Sequence, residues 1–200
     1  MQWGKYAVAL ACVWGAWSWY GTRPVSGVPH GVAAPAEPVQ TATGEPAFQF
    51  KSMAIKPLAH INLRARVLAR KDYHLDAMAA ISPTDLALGW GAMSDPSVYE
   101  KLSISQGNRF YFYRYSIPPP VPAEQIARSS ANMHLIPANS AVKALLKKIR
   151  PGQLIQLSGL LIHASSPSGW QWVSSLTRED TGAGACEIIW VEQLTVVTAP

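Results

Sequence analysis

The stretch from Ala59 to Arg70 reads Ala-His-Ile-Asn-Leu-Arg-Ala-Arg-Val-Leu-Ala-Arg, and its apolar and polar residues alternate along most of its length. A period of two residues is typical of a β-strand that is covered on one side and polar on the other. The polar side carries three arginines in register, so we expect this strand to present a basic outer face. These arginines are Arg64, Arg66 and Arg70.

Further strands are expected along the rest of the chain. Arg109–Tyr115 is an aromatic run that favours a strand. Gln153–His163 alternates between apolar and polar residues, and Gly159 interrupts the row as a bulge or bend does. Trp170–Ser175 and Cys186–Val197 complete the predicted strands.

Three short helices are expected from their capping residues. Ser82–Asp85 combines a Ser cap, a Pro at the first helical position and an acid in the first turn. Asp95 and Pro96 open a second short helix that reaches Leu102. Asn139 or Ser140 caps the third, which Pro151-Gly152 ends. The apolar stripe of this third helix contains Val142, Leu145, Leu146 and Ile149.

Strands outnumber helices and are joined by irregular connections, which indicates an α+β fold with a small, curved antiparallel sheet or an OB-like barrel. The run Ile149–Leu161 resembles a strand of OB-type small barrels, with a Gly turn, alternating apolar residues and a glycine at the bend. More broadly, the order of three motifs resembles that in uncharacterised bacterial membrane-anchored or exported proteins, a resemblance that implies no activity. The motifs are Pro83–Gly91, Asn132–Pro137 and Ser174–Arg178.

The N-terminal segment Tyr6–Tyr20 contains no charged residue. As a helix it would be about 22 Å long, and including Gln2–Gly21 closes most of the gap to a hydrocarbon core of roughly 30 Å. Aromatic residues, which favour the membrane interface, cluster at its far end. They are Trp14, Trp17, Trp19 and Tyr20.

Four interpretations of this segment are open: an uncleaved signal anchor, a cleaved signal peptide, a lipoprotein signal at Cys12 and a buried helix. The small-x-small site Ala34-Pro35-Ala36 lies far downstream for cleavage. The apolar stretch before Cys12 is short for lipidation. We therefore expect an uncleaved anchor, and Lys5 favours a cytoplasmic N-terminus with the folded part on the other side.

This interpretation divides the chain into three parts. Residues 1–21 form the anchor, residues 22–46 form a Pro/Ala/Gly-rich linker that acts as an extended spacer, and residues 47–200 form one β-rich domain. The expected location is the bacterial inner membrane, in a single pass with the domain on the periplasmic side.

The chain carries a formal net charge of +5. Besides the predicted arginine face, the third helix and the residues that follow it form a second basic face. A solvated surface, an acidic protein partner and lipid headgroups all fit such faces. The second basic face consists of Lys143, Lys147, Lys148 and Arg150.

The candidate catalytic residues stand singly in the sequence and form no complete catalytic motif. Asp180-Thr181-Gly182-Ala183 matches the aspartic-protease tetrapeptide, but Thr177-Arg178-Glu179 before it is charged, which favours a plain turn. Cys186 could act as a nucleophile with His134 or His163 as the base, although a lone Cys in an apolar strand is more often a small buried hydrophobe.

The sequence also contains one candidate segment for a metal site and one candidate strand for nucleic-acid binding. The histidines show no metal-ligand spacing, and Asp72-Tyr-His-Leu-Asp76 favours a solvated loop over a metal site. Bases could stack on Tyr111, Tyr113 and Tyr115 while Arg109 follows the phosphates. The alternative places Phe110 and Phe112 in the core and leaves the tyrosine hydroxyls in contact with solvent.

No motif requires a reaction, a metal or a cofactor. The leading hypothesis is therefore a non-enzymatic, membrane-anchored accessory protein whose extracytoplasmic domain binds a protein partner, as a subunit of a membrane or envelope complex. A polyanion or single-stranded nucleic-acid binding module and an extracytoplasmic hydrolase are the alternatives.

Overall fold

The computed structural model describes Tyr6 and residues 23–76, 78–177 and 186–198 of the 200-residue chain. These residues form ten β-strands, three short α-helices and one 3-10 turn at Gly91–Ser94. The strands are β1 (Val39–Ala42), β2 (Phe48–Phe50), β3 (Met53–Asp72), β4 (Thr84–Gly89), β5 (Ser103–Gly107), β6 (Phe110–Arg114), β7 (Ser130–Pro137), β8 (Leu154–Ser165), β9 (Gln171–Val173) and β10 (Glu187–Val197). The helices are α1 (Pro96–Tyr99), α2 (Ala123–Arg128) and α3 (Ser140–Leu146).

Five strands close into a ring. Around the ring, β3 pairs with β4, β4 with β7, β7 with β10, β10 with β8, and β8 with β3 again. The β7–β10 pair is parallel and the other four pairs are antiparallel. The fold is thus α+β with a curved, barrel-like sheet, as the sequence predicts.

The interior of the ring is filled by the alternating apolar residues of its strands. On β3, the residues Ile61, Leu63, Ala65 and Val67 are at most 2% exposed, which confirms the strand predicted from Ala59–Arg70. Burying such side chains stabilises a protein by about 1.5–3 kcal/mol each, so one side of this strand contributes strongly to the core.

A second layer covers the outside of β3 and β4. It comes from residues between β4 and β7, which contribute the 3-10 turn, α1, the β5–β6 hairpin and α2. Arg66 and Leu68, expected on an exposed polar face, are 2% and 7% exposed because this layer and the turn after α3 cover them. The apolar cluster in this layer contains Leu68, Ala87, Met93, Tyr99, Leu102 and Ile126.

Parts of residues 23–46, which the sequence predicts to be an extended spacer, contact the rest of the fold. Ala34 is 1% exposed. Its amide donates a hydrogen bond to Ser94 Oγ at 3.0 Å, and its carbonyl accepts one from the Gly91 amide at 2.7 Å. β1 then pairs with β3. At Ala34 and along β1 this part of the chain is therefore held on the ring, because a residue as small as Ala34 fits closely against it.

The first predicted helix is also wrong. Thr84 to Gly89 form β4, which lies between β3 and β7 with all six residues buried. The two neighbouring strands satisfy its backbone, which outweighs the local capping signal of Pro83 and Asp85.

The other two helix starts are confirmed. The Asp95 side chain accepts a hydrogen bond from the Ser97 amide at the start of α1, and the Asn139 side chain accepts one from the Val142 amide at the start of α3. α1 ends at Tyr99, before the predicted Leu102.

Gly159 lies at a bend, as predicted. The β10 register shifts between Val191 and Gln193, directly across from it. A Cβ atom on Gly159 would stand 2.0 Å from the Trp190 carbonyl oxygen, so the two strands approach each other too closely there for any side chain.

Within the residues that the structure describes, no helix is long and apolar enough to span a bilayer. Apart from Tyr6, the predicted anchor, including Trp14, Trp17, Trp19 and Tyr20, lies outside these residues.

Candidate functional site

The β5–β6 hairpin turns through Asn108 and Arg109. Both residues have positive φ angles, of 51° and 68°, and Gly107 pairs directly with Phe110. These angles define a tight two-residue turn of the type that suits the twist of a hairpin. Arginine is uncommon in this backbone region, so its side chain must have contacts that compensate.

The Arg109 guanidinium bridges β4 and the connection that precedes it. Nη1 lies 2.8 Å from Asp85 Oδ1 and donates to the Ser82 carbonyl oxygen at 3.0 Å, and Nη2 lies 2.7 Å from Asp76 Oδ1. The guanidinium carbon lies 3.8 Å from the ring centre of Tyr73. Partial burial tends to raise the pKa of Asp76, but the hydrogen bond and the charge of Arg109 bring it below its ordinary value.

Asp85 also faces a histidine. His134 Nδ1 lies 2.9 Å from Asp85 Oδ1, and both side chains are almost completely buried. The imidazole ring packs 4.7 Å from Trp172 of β9. We call Tyr73, Asp76, Asp85, Arg109 and His134 the Arg109 centre.

The contacts of the Arg109 centre hold the β5–β6 hairpin against the ring, which is a structural role. Arg109 and His134 both approach the same oxygen of Asp85, and the second oxygen, Oδ2, has no hydrogen-bond partner among the described residues. With Asp85 0% and His134 2% exposed, a substrate has no access to either group as the structure stands.

Cys186 lies beside the same centre. Its Sγ atom is 4.0 Å from the Arg109 carbonyl oxygen. Burial raises the pKa of this thiol to about 11, so it is protonated at neutral pH and unsuited to nucleophilic attack. The structure therefore brings two of the weak catalytic candidates, His134 and Cys186, to one place, but without an activated thiol. Asp180, the third candidate, lies outside the described residues.

The two faces of β6 are reversed relative to the expectation. Tyr111, Tyr113 and Tyr115 pack inward against the outer apolar layer, whereas Phe110 and Phe112 are 39% and 52% exposed. Burial raises the pKa of Tyr111 to about 12. Placing the phenylalanines in the core was wrong, and the tyrosines are partly covered by the outer apolar layer.

Three of the predicted binding arginines hold the turn after α3 or the chain beside it. Arg66 Nη1 donates to the Gly152 carbonyl at 2.9 Å, and Arg70 Nη1 donates to the Ile149 carbonyl at 2.7 Å. Arg150 Nε donates to the Arg23 carbonyl at 2.8 Å. Their charges therefore have a structural role in addition to any binding role.

The remaining predicted binding residues lie nearer the solvent. Lys143, Lys147 and Lys148 are exposed on and just after α3, and Arg64 is partly exposed on β3. The structure thus separates the basic set into arginines that bind backbone carbonyls and an exposed lysine face.

Sequence reasoning missed the Arg109 centre. One signal was present: Asp85 stands in an apolar run that continues through Leu88, and an acid in a buried strand requires a cationic partner. Its partner Arg109 lies 24 residues away, and only the folded hairpin brings the two together.

Among the described residues, no group of three or more His, Cys, Asp or Glu side chains is placed to hold a metal ion. Comparison with known proteins adds no assignment: no family model, curated protein or solved structure matched the chain.

Proposed function

We propose that this protein is a non-enzymatic, membrane-tethered accessory protein that binds a protein partner through the outer face of the β5–β6 hairpin. The observation that carries the proposal is the outward exposure of Phe110 and Phe112. Their ring centres lie 6.3 Å apart, and the opposite face of the same strand is firmly packed.

The outer face has the composition of a small protein-binding surface. Phe112 lies across from Ser105, and Arg114 lies across from Ser103, so small side chains leave the ring and the guanidinium prominent. Aromatic residues and arginine are enriched among the residues that dominate binding energy. The matching partner surface has an apolar pocket for a phenyl ring and a carboxylate beside it.

An OB-like assignment of the ring supports this choice of face. The strand order, the parallel β7–β10 pair and the position of α3 between β7 and β8 all fit that class. OB folds bind oligonucleotides or oligosaccharides across their second and third strands and the adjoining loops. In this chain those strands are β4 and β7, and the Arg109 centre occupies their outer side.

The chain's own hairpin therefore fills the surface on which an OB-like module usually binds its ligand. Because the hairpin occupies that surface, the single-stranded nucleic-acid alternative is disfavoured. The exposed outer side of the hairpin is the surface that remains for binding a partner. The protonated Cys186 thiol argues in the same way against the hydrolase alternative.

The membrane tether rests on the sequence of residues 6–20, which contains no charge and ends in an aromatic cluster. Placement in a bacterial inner membrane is part of the proposal, and Lys5 and the amino terminus before the apolar segment favour the periplasmic side for the folded part.

The proposal is tested by purifying the full-length chain from its native membranes in mild detergent. A Phe110→Ser/Phe112→Ser variant is expected to lose its co-purifying protein at least about tenfold, because buried aromatic anchors contribute about 2 kcal/mol or more each. A Val39→Ser/Val196→Ser variant is the matched control, since both valines are also exposed, at 58% and 43%. Retention of the partner by the phenylalanine variant, or the absence of any partner on the unmodified chain, contradicts the proposal.

A further inference from the structure

The chain joins the ring beside the C-terminal end of α3. Arg150, just past α3, donates from Nε to the Arg23 carbonyl at 2.8 Å and from Nη2 to the Pro24 carbonyl at 3.3 Å. The Val25 amide donates to the Pro151 carbonyl at 2.9 Å. The first described residues after the apolar segment are therefore held at the turn that follows α3.

This attachment limits the distance between the apolar segment and the ring. Tyr20 and Arg23 are three residues apart, and an extended chain covers at most about 3.3–3.6 Å per residue. Only two residues of the sequence, Gly21 and Thr22, separate the apolar segment from the attachment at Arg23. If that segment is in a bilayer, as the proposed function holds, the α3 end of the ring faces the lipid headgroups.

The surface at this end is positively charged. Lys143, Lys147 and Lys148 are exposed, and no described acidic side chain forms a salt bridge with them. The nearby Asp72 is paired with Arg70 at 2.9 Å and accepts from the Thr84 hydroxyl at 2.8 Å. The lysine charges are therefore available to an external anion.

A cleft of about 270 Å³ opens between α3 and the β3–β4 connection. Lys143 and Lys147 border it together with His74 and the Arg70–Asp72 ion pair, and Leu146 and Pro83 add apolar surface. A phosphate group with the first carbons of its ester fits both the charge and the apolar lining.

We propose that the exposed α3 lysines and this cleft dock on anionic phospholipid headgroups of the membrane that holds the N-terminal segment. This inference rests on the proposed tether. Lipid is favoured over a soluble phosphate because attachment at Arg23 keeps this face at the bilayer surface, which makes the effective concentration of headgroups high.

The test uses the full-length chain reconstituted in vesicles of phosphatidylcholine alone or with about one third phosphatidylglycerol. A membrane-impermeant amine reagent labels the exposed lysines, and mass spectrometry gives the rate at each site. Lys143 and Lys147 are expected to react at least about fivefold more slowly in the anionic vesicles, and high salt is expected to abolish the difference. Lys101, which is also exposed but precedes β5, is the internal control.

A Lys143→Glu/Lys147→Glu variant provides a second measurement, because both side chains are exposed and the fold should persist. In this variant the protection of Lys148 is expected to disappear. Equal labelling in the two vesicle types overturns the inference. Protection in neutral vesicles by soluble glycerol phosphate alone overturns the assignment to lipid.

A separate measurement, retention of the chain on the vesicles, tests the membrane tether itself. Release of the chain from either vesicle type by alkaline washing contradicts the proposed membrane tether. Firm retention with equal lysine labelling contradicts only the lipid-docking inference.

Discussion

The contacts of the Arg109 side chain explain how an arginine is tolerated at a backbone position that favours glycine. Its φ of 68° lies in the left-handed region, which is unfavourable for a long side chain. The side chain compensates by contacting two carboxylates, a backbone carbonyl and the Tyr73 ring. A single residue therefore joins the hairpin tip to the ring.

Removing this charge should leave the buried Asp85 carboxylate without its cation. We predict that Arg109→Gln lowers the free energy of unfolding by about 3–5 kcal/mol, the usual effect of breaking a buried pair. Urea unfolding followed by circular dichroism measures the change. Arg128→Gln, in the exposed pair with Glu124, is the control and should change stability by about 0.5 kcal/mol or less.

A second variant separates lost charge from lost packing. Adding Asp85→Asn to Arg109→Gln removes the stranded charge, so the double variant should be less destabilised than the sum of the two single variants. Strict additivity would show that the ion pair is not the source of the effect.

The Cys186 thiol gives a prediction about pH. Its folded-state pKa of about 11 lies above the ordinary value of 9.0, so the folded chain holds this proton more tightly than the unfolded chain. The stabilisation is fully present below about pH 9 and is lost as the pH rises toward 11. At pH 8, iodoacetamide should modify Cys186 roughly a hundredfold more slowly in folded protein than in urea. Equal rates would contradict a buried, protonated thiol.

At the scale of elements, the hairpin shows what a period of two leaves undetermined. Alternation predicts that Phe110 and Phe112 share one face and that the tyrosines share the other, but it does not say which face is covered. Hydrophobicity favours the phenylalanines for the covered face, because phenylalanine is more apolar than tyrosine. The structure covers the tyrosines, whose hydroxyls can reach polar partners at the edge of the layer, as Tyr111 approaches Ser130 Oγ at 3.5 Å.

The reversed faces predict opposite effects of two neighbouring substitutions. Tyr111→Ala should destabilise the fold by roughly 2–4 kcal/mol because it leaves a cavity in the outer layer. Phe112→Ala should change stability by about 0.5 kcal/mol or less, as is usual for surface positions. Thermal unfolding of both variants tests this, and the reverse order of stability would refute the described faces.

The closest strand contact gives a further prediction. Gly159→Ala would place a Cβ atom against the Trp190 carbonyl, so the strands must move apart at a cost of about 1–3 kcal/mol. Gly107→Ala is the control, because a Cβ there meets nothing within 4 Å. Denaturant midpoints compare the two variants, and similar small losses would count against the tight β8–β10 contact.

At the scale of the whole molecule, several elements could be predicted from local patterns, whereas β1, β2, β5 and α2 could not. The strand at Met53–Asp72, the helix capped by Asn139 and the bend at Gly159 follow from periodicity and capping. β4 was missed because its Ser-Pro-Thr-Asp start imitates a helix cap, and only pairing on both sides decides the outcome.

Long-range relations lay beyond the sequence patterns. The packing of Ala34 beneath the 3-10 turn and the meeting of Arg109 with Asp85 depend on how the ring closes. The strand that carries Phe110 and Phe112 was predicted, but the binding surface on it was not, because which face of a strand is covered depends on the assembled layers.

The central claim is that the outer face of the hairpin is the protein-binding surface. A photo-reactive benzophenone amino acid placed at position 112 of the full-length chain, irradiated in intact native membranes, tests it most directly. We expect one dominant cross-linked protein from position 112 that is absent when the same amino acid replaces Val196. Equal cross-linking from both positions, or none from position 112, would contradict it.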